Sequence, residues 1–195
     1  MKDQSQKRII FLKGHKVILR PLRKETDLES CLRWVNNPGV NRYLNLFLPV
    51  SETAEEKWFD NLEKEKDSII LAIETFEGEF IGLMGLHKIN WRDRTAITGA
   101  LIGEEKYRNK GYGTDAKMIL LNYAFNTLNL RKICSSVLSF NKRSLHYNLH
   151  CGYKIEGRRR KQIFREDRYW DEIILGLFKN NWLPIWRRYQ KKALD

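Results

Sequence analysis

The residues best suited to chemistry form one short run, Arg108-Asn109-Lys110-Gly111-Tyr112-Gly113-Thr114, between an apolar stretch ending near Gly103 and a helix-like stretch beyond. At the start of a helix the first amides point outward unpaired, and the dipole adds partial positive charge. Glycines remove the Cβ atoms that would hold a phosphate off the backbone. Arg108 and Lys110 add full charges, so the place suits a pyrophosphate. A P-loop is excluded, because no Gly-Lys-Ser/Thr is present. Gly111-x-Gly113-x-x-Ala116 does match a dinucleotide fingerprint. The connection from Gly103 to Gly111 is too long for that tight turn, however, and no acidic residue ends the strand at Leu138 to receive a ribose. An ordinary glycine-rich turn stays open as the reading of the glycines alone.

Other reactive side chains say less. Cys31, Cys134 and Cys151 form no C-x-x-C pair, which argues against a disulfide framework or a zinc site. His146 and His150 stand at i and i+4 but lack a third ligand, so no metal is expected. Residues 51–67 hold seven acids against three lysines, either a rim for a cationic ligand or a solvated helix face. Arg158-Arg159-Arg160-Lys161, followed by Phe164, Arg165, Arg168, Tyr169 and Trp170, interleaves charge with aromatics. That pattern suits an RNA surface or a solvated hairpin between the last two strands.

The elements that must position these groups follow from periodicity. Residues 17–21 alternate like a strand, and Thr26 or Asp27 is expected to cap a helix through Leu28, Leu32 and Val35, stopping at Asn36-Asn37-Pro38-Gly39. A second helix starts at Ser51 and carries Trp58, Phe59 and Leu62. Strand-length apolar runs cover 69–73, 80–86 and 96–102. Ala116, Ile119, Leu120, Tyr123, Ala124 and Leu128 recur at helical spacing. A strand at 133–138, a short helix at 144–149 and a final strand at 172–178 complete a mixed α/β (α+β) domain with an antiparallel first half and one strand–loop–helix–strand crossover.

The chain has 195 residues, enough for a core without metal or disulfides, and its 42% hydrophobic and 31% charged content is globular. With 36 Lys and Arg against 24 Asp and Glu, its net charge of +12 favours anionic partners: nucleic acid, phosphorylated cofactors or an anionic surface. No run approaches the roughly 18 apolar residues of a membrane span, so a soluble, cytoplasmic protein is expected.

Taken together, Arg108-x-x-Gly111-x-Gly113, then Asn141-Lys142-Arg143-Ser144, Cys151-Gly152-Tyr153 and Glu156-Gly157, resemble the GNAT superfamily of acetyl-CoA-dependent N-acetyltransferases. Leu19-Arg20-Pro21-Leu22, Trp34-x-Asn36-x-Pro38-x-Val40 and Tyr169-x-Asp171 resemble its ribosomal-protein N-acetyltransferase (RimJ/RimL-like) branch. The resemblance spans residues 17–178. It implies one domain over 1–180, with a basic, aromatic tail at 181–195 packed on the domain or on a second subunit of a homodimer. It also implies a mostly antiparallel sheet whose splayed strand pair holds acetyl-CoA.

By that resemblance, Leu101, Ile102 and Gly103 hold the pantetheine arm, the amides of Arg108, Asn109, Lys110, Gly111, Tyr112, Gly113 and Thr114 cradle the pyrophosphate, and Asn141 and Ser144 reach the cofactor from the far side. Direct attack of a neutral amine on the thioester needs no covalent enzyme intermediate. Two departures stand out. The position where many relatives carry a glutamate is Ile97, and the position of their tyrosine, seven residues after the motif asparagine, is Asn148. Tyr147 lies one residue earlier, about 100° away around a helix, and is the expected catalytic acid. The acceptor implied is a primary amine: a polyamine, an amino sugar or a protein N-terminus. A non-enzymatic RNA- or ribosome-docking module on the same fold is the rival reading.

Overall fold

The computed structural model describes residues 9–44 and 46–191. The first eight residues of the basic N-terminus and the last four of the tail lie outside the described residues. Eight strands form one mixed sheet: β1 Leu12–Lys13, β2 Val17–Pro21, β3 Ile69–Thr75, β4 Phe80–Asn90, β5 Thr95–Ile102, β6 Lys132–Leu138, β7 Lys154–Arg165 and β8 Arg168–Phe178. They are ordered β1-β2-β3-β4-β5-β6-β8-β7. Among the described strands only the β5–β6 pair is parallel. Among the described residues six α-helices complete the fold: α1 Lys24–Asn36, α2 Pro38–Asn41, α3 Glu52–Asn61, α4 Tyr112–Asn122, α5 Lys142–His150 and α6 Lys179–Lys191. This is the mostly antiparallel, helix-flanked architecture expected, with β1, α2 and α6 added.

Two apolar layers sandwich the sheet. On one face α4 packs Ala116, Ile119 and Leu120 against Val17, Ile81, Met84, Ile133 and Leu175. On the other, α1 and α3 enclose Cys31, Trp34, Val40 and Phe59. Among the described residues no helix is long and apolar enough to cross a membrane.

Several details differ from the sequence expectations. Arg23, not Thr26 or Asp27, precedes the first turn of α1. Asp27 is drawn inside the helix because its carboxylate accepts from Arg20 Nη1 at 2.7 Å, Arg20 Nη2 at 2.9 Å and the Arg23 amide at 2.8 Å. Arg20 Nε also donates to Glu74, so one buried guanidinium ties β2, α1 and β3 together. The basic run Arg158–Lys161 lies within β7, where paired strands extend to a turn at Glu166-Asp167, and not in a loop. The tail forms α6 with Trp182 fully buried, and Tyr189 Oη donates to Asp115 at 2.6 Å. Asp115 also accepts from the amides of His15, Lys16 and Val17 at 2.9–3.0 Å, fastening the start of α4 to the first strands.

Candidate active site

The parallel pair β5–β6 is joined only over Thr95↔Lys132, Ala96↔Ile133 and Ile97↔Cys134. Beyond that point β5 stays with β4 and β6 turns toward β8, so the two strands open into a V. Thr98 stands at its apex, its hydroxyl 3.4 Å from the Cys134 carbonyl. A cleft of about 410 Å³ occupies the opening. Along 98–102, the strand edge that would have bonded β6 faces this cleft, and an extended chain can pair with such an edge.

At the mouth the glycine loop becomes the first turn of α4. Asn109 and Gly111 adopt left-handed conformations, φ 60° and 85°, and bring the chain into the helix with its first amides outward. Arg108 is not a free phosphate ligand: its Nε donates to the Ile102 carbonyl at 3.1 Å and its Nη2 to Gly103 at 3.0 Å, locking the loop to the end of β5. Lys16, which the sequence reading passed over, reaches the loop from the first hairpin, its Nζ 3.0 Å from the Lys110 carbonyl.

Of the expected site residues, the structure brings Leu101, Ile102, Arg108, Asn109, Gly111, Gly113, Thr114, Asn141, Ser144 and Tyr147 onto one wall system. Gly103, Lys110 and Tyr112 do not line it. Gly103 serves packing instead, because a Cβ there would collide with the Trp34 ring. Tyr112 stands edge-on against Tyr107, at 5.1 Å between ring centres. Asn141 caps α5, its Oδ1 accepting from the Ser144 amide at 3.1 Å.

The floor of the cleft holds a residue missed in the sequence. Lys117, on the second turn of α4, is 1% exposed and lines the cleft. Its Nζ donates to Asn148 Oδ1 at 2.7 Å and to Thr98 Oγ1 at 3.2 Å. The rings of Tyr147 and Tyr153 flank it at 4.6 and 4.9 Å. Desolvation lowers its pKa to about 8. A signal was available: residues 116 and 118–121 are apolar all round the helix, which leaves no polar face for the lysine between them. Both Tyr147 and Asn148 face the cleft. The Tyr147 hydroxyl is buried, has no hydrogen-bond partner among the described residues, and is held well above the usual tyrosine pKa by burial.

Beside the wall, His87 pairs across strands with Ile97, the position lacking a carboxylate. Its ring fills the space left by two glycines; Cβ atoms at Gly85 and Gly99 would lie 3.0 and 2.9 Å from Nε2. Burial lowers its pKa, which favours the neutral imidazole, a proton acceptor. His146 and His150 are exposed. Of the nearby aromatics, Trp34 and Phe59 are core and Phe47 is exposed, while Tyr43 lines the cleft. Arg158 and Arg159 pair with Asp171 and Glu172 at 3.3 and 3.0 Å, which neutralises part of the basic hairpin.

An open strand pair above a loop of outward amides suits an extended, phosphorylated carrier. Residues 16–154 match the family model described as "Acetyltransferase (GNAT) domain". Spermidine N(1)-acetyltransferase of Escherichia coli (strain K12) is 30% identical over 175 residues, 87% of this chain and 90% of that protein. The crystal structure of spermidine N-acetyltransferase from Vibrio cholerae in complex with CoA and spermine superposes with a TM-score of 0.80 at 25% identity, covering 86% of this chain and 98% of the other. Bacillus subtilis (strain 168) YdaF, whose name offers ribosomal N-acetyltransferase as a candidate, is 27% identical over 107 residues, 55% of this chain. The chain belongs to the GNAT acetyltransferase family. It is an N-acetyltransferase, acetyl-CoA is its cosubstrate, and its similarity runs more strongly to the spermidine enzymes than to the ribosomal branch.

Proposed function

We propose that the protein acetylates a primary amine of a polyamine of the spermidine class, by direct attack in a ternary complex with acetyl-CoA. The observation that carries the reading is the V between β5 and β6, which ends at one side on the outward amides of α4. Leu101 and Ile102 line the arm, the Arg108–Thr114 backbone receives the pyrophosphate, and Asn141 and Ser144 close the far side. The 30% identity to a spermidine enzyme over nine-tenths of that enzyme's length supports the polyamine choice. Ribosome or RNA docking is not favoured, because the basic hairpin already spends two arginines on its own acids.

Titration calorimetry with acetyl-CoA on the parent and on Gly111→Glu tests the seat. The added carboxylate enters the amide cradle beside Lys16, and only the parent is expected to bind, with circular dichroism confirming that both fold. A steady-state assay then compares spermidine and spermine with an amino sugar and a peptide N-terminus. Turnover confined to the peptide would overturn the polyamine assignment; no binding by the parent would overturn the site.

A further inference from the structure

We propose that Lys117 is the catalytic acid of this site: its ammonium, seated where β5 and β6 part, protonates the sulfur that leaves as the amine is acylated. The proposal rests on the acetyl-CoA reading of the cleft and assigns a chemical role within it that neither the glycine loop nor the asparagine motif supplies.

Burial and bonding carry the argument. An ammonium has three donors and no acceptor. Two are spent, on Asn148 Oδ1 and Thr98 Oγ1, and both acceptors line the cleft. The third meets no oxygen among the described residues, and no carboxylate there forms an ion pair with Nζ. A buried cation without a counter-charge opposes folding. It is well suited to negative charge that develops only during the reaction, as on a sulfur losing its carbon. Asn148 completes the device. Its amide oxygen accepts a hydrogen bond from Nζ at 2.7 Å and keeps the lysine pointing to the apex.

Acid strength separates Lys117 from its neighbour Tyr147. Proton transfer is most efficient when donor and acceptor have similar pKa values near the working pH. A cysteine thiol lies at about 8.5, and Lys117 at about 8 falls in the thiol range. Tyr147, held well above 10 by burial, is a much weaker acid. The titratable groups packed on Lys117 are Tyr147, Tyr153 and Cys151, and burial raises all three, Cys151 to about 11. They stay neutral while Lys117 titrates. Asp115, two residues earlier on α4, is occupied by four donors.

The proton balance closes. As the carbon–nitrogen bond forms and the carbon–sulfur bond breaks, the electron pair of the latter goes to sulfur, and Lys117 Nζ gives that sulfur a proton. The neutral amine of Lys117 then takes a proton from water, matching the one the acceptor nitrogen sheds. Nothing is oxidised or reduced.

The test reads the thiol as well as turnover. Thiolate ultraviolet absorbance of CoA bound to the wild-type protein, followed against pH, is expected to give a pKa at least one unit below that of free CoA; in Lys117→Met the value returns to that of free CoA or rises. Lys117→Met is expected to lose about 100-fold in kcat, with the acetyl-CoA dissociation constant within threefold of wild type. The fall in wild-type kcat above about pH 8, as the lysine deprotonates, disappears in the variant. Tyr147→Phe is expected to lose less than Lys117→Met. A wild-type bound thiol that titrates at or above the free value overturns the proposal even if the variant does not fold. So does a folded Lys117→Met with wild-type kcat, or a Tyr147→Phe loss equal to or larger than that of Lys117→Met. Failure of the wild type to bind acetyl-CoA at all overturns the underlying site, and calorimetry separates that result from the others.

Discussion

Lys117 should leave its mark on stability as well as on catalysis, because burying its charge works against folding. The ordinary lysine value of 10.5 falls to about 8 in the folded protein. At about 1.4 kcal/mol for each tenfold change in proton affinity, the buried ammonium costs on the order of 3 kcal/mol. The sign follows from proton counting. Below pH 8 both folded and unfolded chains carry the proton, and the whole cost is present. Between pH 8 and 10.5 the unfolded chain binds more protons than the folded one, so stability rises with pH. Above 10.5 the lysine is neutral in both states and the cost is gone. Other groups titrate in this range, so the useful quantity is the difference in unfolding free energy between wild type and Lys117→Met, measured by urea denaturation from pH 7.5 to 10.5. That difference should move by about 3 kcal/mol in favour of the wild type across the window. In thermal scans the same change is worth about 6–12 °C for a domain of this size. Replacement by Met also leaves Asn148 Oδ1 without a donor, at about 1–3 kcal/mol, but that penalty is the same at every pH and cancels from the slope. A difference that stays flat within about 0.5 kcal/mol, less than a fifth of the effect, would show that the lysine titrates as it does in water, and the reasoning from burial would fall.

Two further substitutions probe the frame around the site. Arg20→Ala strips the buried Asp27 carboxylate of its bidentate partner and should cost about 3–5 kcal/mol, read by urea unfolding; Arg20→Lys should recover little, because a lysine cannot reproduce the fork that spans Asp27 and Glu74. Gly103→Ala puts a methyl group into the Trp34 ring and should cost about 1–3 kcal/mol, with a red shift of tryptophan emission if the ring is forced toward water; an unchanged melting temperature would mean that the ring moves aside freely.

How much of this was legible in the chain depended on whether backbone or side chains did the work. The V of β5 and β6 and the loop at Gly111 are backbone devices; the glycine spacing announced the loop, and the V came only with the resemblance to the GNAT superfamily. Helix α1 misled because Asp27 looks like a cap, when its carboxylate is claimed by Arg20 from the neighbouring strand, a pairing that spacing along the chain does not reveal. At Gly103 the glycine itself is explained by Trp34, whose ring takes the space of a Cβ. The hairpin arginines looked free, and register pairs two of them with acids on β8. Lys117 was hidden because periodicity counts apolar positions and passes over a lone lysine among them, although a helix apolar on every side gives such a lysine nowhere to go but the interior.

The departures from the family pattern meet in one place. Asn148 stands where the resemblance would place a tyrosine, and Lys117 fills the space beside it; Ile97 stands where it would place a glutamate, and His87 crosses from β4 onto the two glycines beside it. Each position is thus next to a group of complementary chemistry, a buried cation matched to a departing thiolate and a half-buried imidazole matched to an amine that must shed its proton. The carrier end of the cleft is built mainly from amides and strand edges, which tolerate changes in side-chain identity. Its chemical end is built from side chains, where one substitution changes what the neighbouring positions must hold. Resemblance is therefore a firmer guide to the cosubstrate than to the proton path, and the proton path has to be read from Lys117, Asn148 and His87 themselves.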